Sequence, residues 1–168
     1  MTTEIERISL LPKTPAVYAL YGGRGQGLHV AYVGVAGRLR NRIEQHLVMG
    51  VSSVTRGDIA AGLNPDKVTE LRWWTDAEFV ERPVLEAAEM VAFDVLNPAL
   101  RSRGRIEEQA RLLYHEPTFQ ERFRAVFLGP SAGHLILPTS QDALDRTASL
   151  QQQIDELARR LDKMEVVK

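Results

Sequence analysis

Five side chains have the types and spacing for chemistry on a charged substrate: Tyr18, Tyr32, Arg42, His46 and Glu89. Glu89 lies in a run of Ala87, Ala88, Met90, Val91 and Ala92. A carboxylate in such an apolar stretch needs a counter-charge, either an arginine or a cation. Arg42 and His46 are four residues apart, so a helix places them on one line with Arg38, beside an apolar stripe of Leu39, Ile43 and Leu47. Arginines also cluster at Arg38, Arg40 and Arg42 and at Arg101, Arg103 and Arg105. Such clusters suit phosphate contacts, which set affinity without reading sequence.

The elements that must position these groups follow from the pattern. Ala16–Tyr21 and His29–Val33 are short runs rich in Val, Tyr, Ala and Leu, joined by the glycine-rich Gly22–Gly27. That arrangement predicts a β-hairpin. A second glycine-bearing turn, Gly34 to Gly37, leads into a helix starting near Arg38. The hairpin and this helix together present Tyr18, Tyr32, Arg42 and His46 toward one region. Val68–Trp74 alternates apolar and polar residues and predicts a third antiparallel strand. Its Trp73 and Trp74 point to opposite faces; one is read as core, the other as packing beneath a helix or stacking on a nucleobase. A short helix capped by Asp58 is expected before this strand. Val84–Leu96 predicts a helix opened by Pro83, with Leu85, Ala88, Ala92 and Leu96 on its apolar face. Glu86 on this helix is read as a solvated residue.

Here the pattern resembles a known family. Ala16-Val17-Tyr18 followed by Tyr32-Val33-Gly34 is similar to the paired tripeptides of the GIY-YIG nucleases. Arg42 falls where that family has its active-site arginine and His46 where it has a His or Tyr. Glu89, with Pro98 nine residues later, is similar to the family's metal-binding glutamate, apolar helix and closing proline. The resemblance covers roughly residues 11 to 102. It implies an α+β fold, a small three-stranded antiparallel sheet flanked by helices. It also implies an endonuclease hydrolysing DNA phosphodiesters by a single-metal mechanism. In that mechanism a tyrosine, Tyr18 or Tyr32, acts as base, its phenol lowered by the nearby arginine and cation. Arg42 positions the phosphate, Glu89 holds Mg²⁺ (or Mn²⁺), and His46 orients a tyrosine or assists proton transfer. Nucleic-acid contact is assigned to Gly34, Arg38, Arg40, Arg101, Arg103 and Arg105. The chain departs from the family at Ala16, in place of Gly, and at Val35, where many relatives carry a basic residue. Arg101 stands where the family often has Asn, with Asn97 a candidate substitute. Val35 and Arg101 argue for the alternative, a non-catalytic nucleic-acid-binding or scaffold protein with the same fold, and the full set Tyr18, Tyr32, Arg42, His46 and Glu89 argues against it.

Composition sets the outer limits. The 168 residues are 44% hydrophobic and 26% charged, with a formal net charge of −1, so any nucleic-acid site is a local patch. The absence of cysteine excludes disulfides and cysteine-based zinc sites. No phosphate-loop motif occurs, and the four histidines lack close metal-ligand spacing. No stretch reaches the ~20 apolar residues of a membrane helix and no signal-peptide core is seen, which predicts a soluble, cytoplasmic protein without membrane partners.

The expected organisation is a nuclease-like domain over 1–105 and a helical extension over 106–168. The extension begins with a helix over Ile106–His115 and an amphipathic stretch carrying Phe119, Phe123, Val126 and Phe127, packing on the core or on a partner subunit. It ends in a helix over 139–166 on which Thr147, Leu150, Ile154, Leu157, Leu161 and Met164 form a heptad seam. That seam pairs with its own copy in a homodimer or lies against the chain's own domain, dimerisation being the favoured reading.

Overall fold

The computed structural model describes residues 3–5, 8–23, 25–48, 64, 67–100, 105–137, 147–157 and 159. The chain divides into two compact units, Met1–Leu137 and Pro138–Lys168.

The first unit is α+β. Its sheet runs β1-β5-β4-β2-β3, with β1 Thr3–Ile5, β2 Ala16–Gly22, β3 His29–Ala36, β4 Val68–Trp74 and β5 Gly133–Ile136. Strands β3, β2, β4 and β5 are antiparallel neighbours, and β1 pairs parallel to β5. The helices are α1 Leu39–Ile43, α2 Arg82–Leu96, α3 Glu108–His115 and α4 Pro117–Leu128. Among the described residues no helix is long and apolar enough to cross a membrane.

The expected three-stranded sheet therefore becomes five-stranded. The hairpin and the third strand lie where the pattern places them. The two additional strands are too short for alternation to register, and β5 finds its partner β4 some sixty residues back in the chain. Strand β2 is buried along all seven residues because both faces are covered. Val17, Ala19 and Tyr21 join the cluster built with α2 and α4, while Ala16, Tyr18 and Leu20 join the cluster built with α1.

Trp73 and Trp74 do point to opposite faces, and both are core, each 4% exposed. Neither is left to stack on a base. Trp73 lies across Gly133, where a Cβ would come within 2.1 Å of its ring.

The aromatic residues of α4 settle where the amphipathic stretch goes. Phe119, Phe123 and Phe127 recur every four residues and pack in series, Phe123 stacking on Phe79 at 5.6 Å and Phe127 meeting Trp74 edge-to-face at 5.5 Å. Arg122 fastens the same helix to the turn before α2, donating to Asp76 and Glu78 at 2.8 Å each. Residues 106–137 thus belong to the first compact unit, and its boundary lies at Leu137, not at residue 105.

Helix α2 starts with Pro83 in its first turn and ends at Asn97, which takes the left-handed conformation (φ 46°) of a C-cap. Pro98 follows, and the chain then runs along the outer edge of β3, with Ala99 N–H donating to Val30 O and Leu100 N–H to Ala31 O at 2.9 Å each. The exposed side of an edge strand is covered in this way.

In the second unit the chain is helical over 147–157, and every described side chain of this helix is exposed. Leu150, Ile154 and Leu157 are 53%, 57% and 58% exposed, at the four- and three-residue spacing of the heptad seam. The rest of the expected 139–166 helix, the Asp58 helix, Arg101 and Arg103 lie outside the described residues.

Candidate active-site cleft

Strands β2 and β3 bring the two tyrosines together because Tyr18 faces Gly34 across the hairpin and Tyr32 faces Leu20, on the same side of the sheet. Gly34 makes the pairing possible. A Cβ there would lie 2.7 Å from the Tyr18 hydroxyl and 2.8 Å from the Tyr32 ring. Gly34, assigned from the sequence to nucleic-acid contact, is buried beneath these rings, where it clears space for them.

Helix α1 is only five residues long and continues as a π-helical turn, Glu44–Val48. This one-turn widening carries His46 into the core, where it is 0% exposed. Such π-turns recur at functional positions. The Tyr18 hydroxyl and His46 Nε2 are 2.6 Å apart. The rings of Tyr18, Tyr32 and His46 form a triangle with centroid separations of 6.1, 5.8 and 5.8 Å.

In front of this triangle is a cleft of ≈ 360 Å³, lined among others by Tyr32, Val35, Arg42, Glu89 and Arg105. Arg42 comes from α1 and Glu89 from α2, where it is 8% exposed. Tyr18 and His46 stand behind the lining. All five side chains singled out from the sequence therefore converge, from the hairpin, α1 with its π-turn, and α2.

Electrostatics differ from the sequence expectation in one respect. Burial pushes the Tyr18 phenol well above its usual value and neighbouring Tyr32 adds to this; Arg42 opposes it by charge and hydrogen bonding without overcoming it. Burial and then the Glu89 carboxylate likewise raise Tyr32, against the opposing pull of Arg42 and the Tyr18 hydroxyl. The phenols of the protein alone are not lowered toward neutrality. His46 is driven down to about 4, first by burial and then by Arg42. At neutral pH the site thus holds two phenols and a neutral imidazole, with Tyr18 and His46 hydrogen-bonded across a 2.6 Å contact.

The remaining assigned residues fall into separate places. Arg105 lines the cleft. Arg38 is exposed at the start of α1, and Arg40 is held by Glu44 at 3.1 Å; neither lines the cleft. Glu86 corrects the reading of a solvated residue. It is 5% exposed, accepts from Arg82 Nε at 2.8 Å and from the Glu107 backbone N–H at 3.0 Å, and so ties α2 to the approach to α3. The one local signal for this was Arg82, four residues earlier on the same helix. Arg82, Phe79 and Val80 also line the cleft and carried no motif.

Among the described residues no three His, Cys, Asp or Glu side chains gather as a metal-holding group. The donor set does fit one hard cation of the Mg²⁺ kind, which takes one or two protein carboxylates and completes its shell with phosphate oxygens and water. Glu89, a nearly buried carboxylate on a cleft wall shared with Arg42, is the residue that would hold it.

Comparison of the chain with family models, with curated proteins and with solved structures gave no match.

Proposed function

We propose that the chain is a metal-dependent endonuclease of GIY-YIG type, a cytoplasmic phosphodiester hydrolase acting on nucleic acid, with DNA as substrate. One observation carries this reading: Tyr18, Tyr32, Arg42, His46 and Glu89, spread over seventy residues of sequence, meet at one cleft. No packing requirement calls for a buried histidine bonded to a buried tyrosine beside an arginine and a carboxylate. Perturbed titratable groups gathered at a cleft are the usual mark of a reacting site.

Hydrolysis here forms a bond from a water oxygen to phosphorus as one P–O ester bond breaks, leaving a phosphate monoester on one end and a hydroxyl on the other. Arg42 binds the phosphate and offsets its developing charge. Tyr32, at the cleft wall, orients the water. Because both phenols are protonated, the base is not a standing phenolate. Tyr32 takes up the water's proton as its own moves through Tyr18 to His46; the imidazole passes that proton on to solvent at neutral pH, and solvent water protonates the leaving oxygen. Glu89 would hold Mg²⁺ or Mn²⁺, which when bound supplies positive charge for the phosphate and leaving oxygens. Val35 leaves uncharged the wall where related nucleases carry a basic residue, and Arg105 brings a guanidinium to the same cleft. Exposed Arg38 extends the cationic surface.

The test is cleavage of plasmid and of duplex, single-stranded and branched oligonucleotides with Mg²⁺, with Mn²⁺ and with chelator. Metal-dependent cutting that falls by ~10²-fold or more in Glu89→Gln and in Arg42→Ala is the expected result. Equal cutting by wild type and both variants refutes the site. The uncharged Val35 wall favours one alternative, a non-catalytic nucleic-acid-binding scaffold; salt-sensitive binding without cutting selects it.

A further inference from the structure

A second groove, of ≈ 660 Å³, opens beside the cleft and shares Pro15 and Val80 with it. Its character is different. Leu10, Pro12, Pro15, Trp73 and Val80 make it apolar, and Thr14 and Thr75 add hydroxyls. Among the described residues no Lys, Arg or His lines it. The one charged residue among the described lining, Asp76, is already engaged by Arg122 at 2.8 Å and by the Glu78 N–H at 2.9 Å. Among the described lining a phosphate finds no cationic partner.

Two large aliphatic side chains nevertheless stand open to water along it, Leu10 at 63% and Val80 at 72% exposure. The walls are also fixed in place. The Leu39 N–H donates to Thr14 O at 3.2 Å and the Arg40 N–H to Pro12 O at 3.1 Å, tying the Pro12–Pro15 loop to the helix that carries Arg42. At the other side the Ala132 N–H donates to Trp73 O at 2.8 Å. A preformed apolar slot, locked to the phosphate-binding helix and continuous with its cleft, suits the flat face of a nucleobase. Threonine hydroxyls both donate and accept, so they meet any base edge.

We propose that this groove receives the unpaired base of the nucleotide next to the scissile phosphate. The inference rests on the nucleic-acid reading above and narrows it: the preferred substrate has a displaced or single-stranded nucleotide at the cut, not a continuous duplex. A base that has left its stack presents an apolar face that such a slot can shield from water, whereas a paired base stays within its helix.

The test uses the full chain carrying Glu89→Gln, so that bound oligonucleotides stay intact, and reads fluorescence anisotropy. Three probes share one sequence: a duplex, the duplex with one unpaired nucleotide, and the same with an abasic residue at the unpaired position. The base-containing probe is expected to bind about tenfold more tightly than the abasic one, the gain from taking roughly 55 Å² of apolar base surface out of water against the aliphatic walls. That ratio falls to within twofold when Leu10→Ser or Val80→Ser is added. Both side chains are more than half exposed, and comparing base with abasic inside each variant removes any uniform loss. Equal binding of base and abasic probes by the Glu89→Gln chain overturns the groove assignment and leaves the cleft reading standing, the groove then belonging to a protein partner. A base preference that survives both serine variants places the base elsewhere and also overturns it. Failure to bind any probe at low salt refutes the nucleic-acid reading and this proposal together.

Discussion

Gly34→Ala is the sharpest probe of how the site is assembled. The added Cβ would stand 2.7 Å from the Tyr18 hydroxyl oxygen, 2.8 Å from Tyr32 Cε1 and 2.9 Å from Tyr18 Cζ. Neither ring has an easy retreat: Tyr18 is 0% and Tyr32 6% exposed, and the Tyr18 hydroxyl is held by His46. Overpacking of this kind costs about 1–3 kcal/mol. Gly34 has no positive φ, so alanine adds no backbone strain and restricts the unfolded chain, a gain of about 0.4–1 kcal/mol. Taking the middle of each range, the net expectation is a destabilisation of about 1.3 kcal/mol, or a melting temperature lower by roughly 3–5 °C for a chain of this size. Thermal and urea unfolding measure it. A double-mutant cycle with Tyr18→Phe identifies the cause, because removing the hydroxyl removes the shortest contact. The double variant should therefore lose less than the two single losses added together. A Gly34→Ala protein as stable as wild type, or strict additivity in the cycle, refutes the claim that Gly34 exists to admit the tyrosine pair.

Other consequences can be checked together. His46 has its folded-state pKa lowered to about 4 against an unfolded value near 6.5, so protons bind the unfolded chain first as pH falls. Stability is expected to be full above about pH 6.5 and to decline by roughly 2–3 kcal/mol toward pH 4, a slope that His46→Gln flattens in urea titrations at stepped pH. Glu86→Ala strips the acceptor from Arg82 and from the Glu107 N–H; a loss of about 1–3 kcal/mol and faster hydrogen exchange at the start of α3 should follow, and unchanged exchange there would contradict the tie. We further propose that the exposed Leu150, Ile154 and Leu157 pair with a second copy of the chain. Sedimentation equilibrium should then show a dimer that Ile154→Glu converts to monomer, whereas a wild-type monomer at tens of micromolar would dismiss the idea.

Much of this architecture was legible because it is periodic. Strand β4 and helix α2 carry alternation and four-residue stripes long enough to read, and the hairpin is marked by its glycines. Strand β5 was harder: its four residues include Gly133, which is there for the ring of Trp73 and not for strand propensity. The fate of α4 was likewise open, since three phenylalanines on one stripe do not say whether they meet their own core or another subunit. At the site, the five side chains singled out by the family resemblance do meet, but their protonation states were not legible. Arg42 beside a phenol suggests a lowered pKa; burial, a property of the folded whole, reverses the sign for Tyr18 and Tyr32. Glu86 shows the same limit, because one of its two partners is a backbone N–H twenty-one residues away.

The run of chain along the outer edge of β3 has a further consequence, for tolerated changes of length. Leu100 is bridged to Tyr32, Asn97 stops α2, and Glu89 lies two turns before that stop. The interval from Glu89 to Leu100 therefore works as a ruler between the carboxylate and the tyrosine it faces. One residue inserted within α2 after Glu89 would turn that carboxylate by about 100° relative to the latch. Substitutions at exposed positions along the ruler are absorbed, but insertions and deletions are not. Descendants of this sequence that keep the cleft should vary at the exposed positions between Glu89 and Leu100 while holding the count constant and the buried Val91, Ala92 and Phe93 apolar.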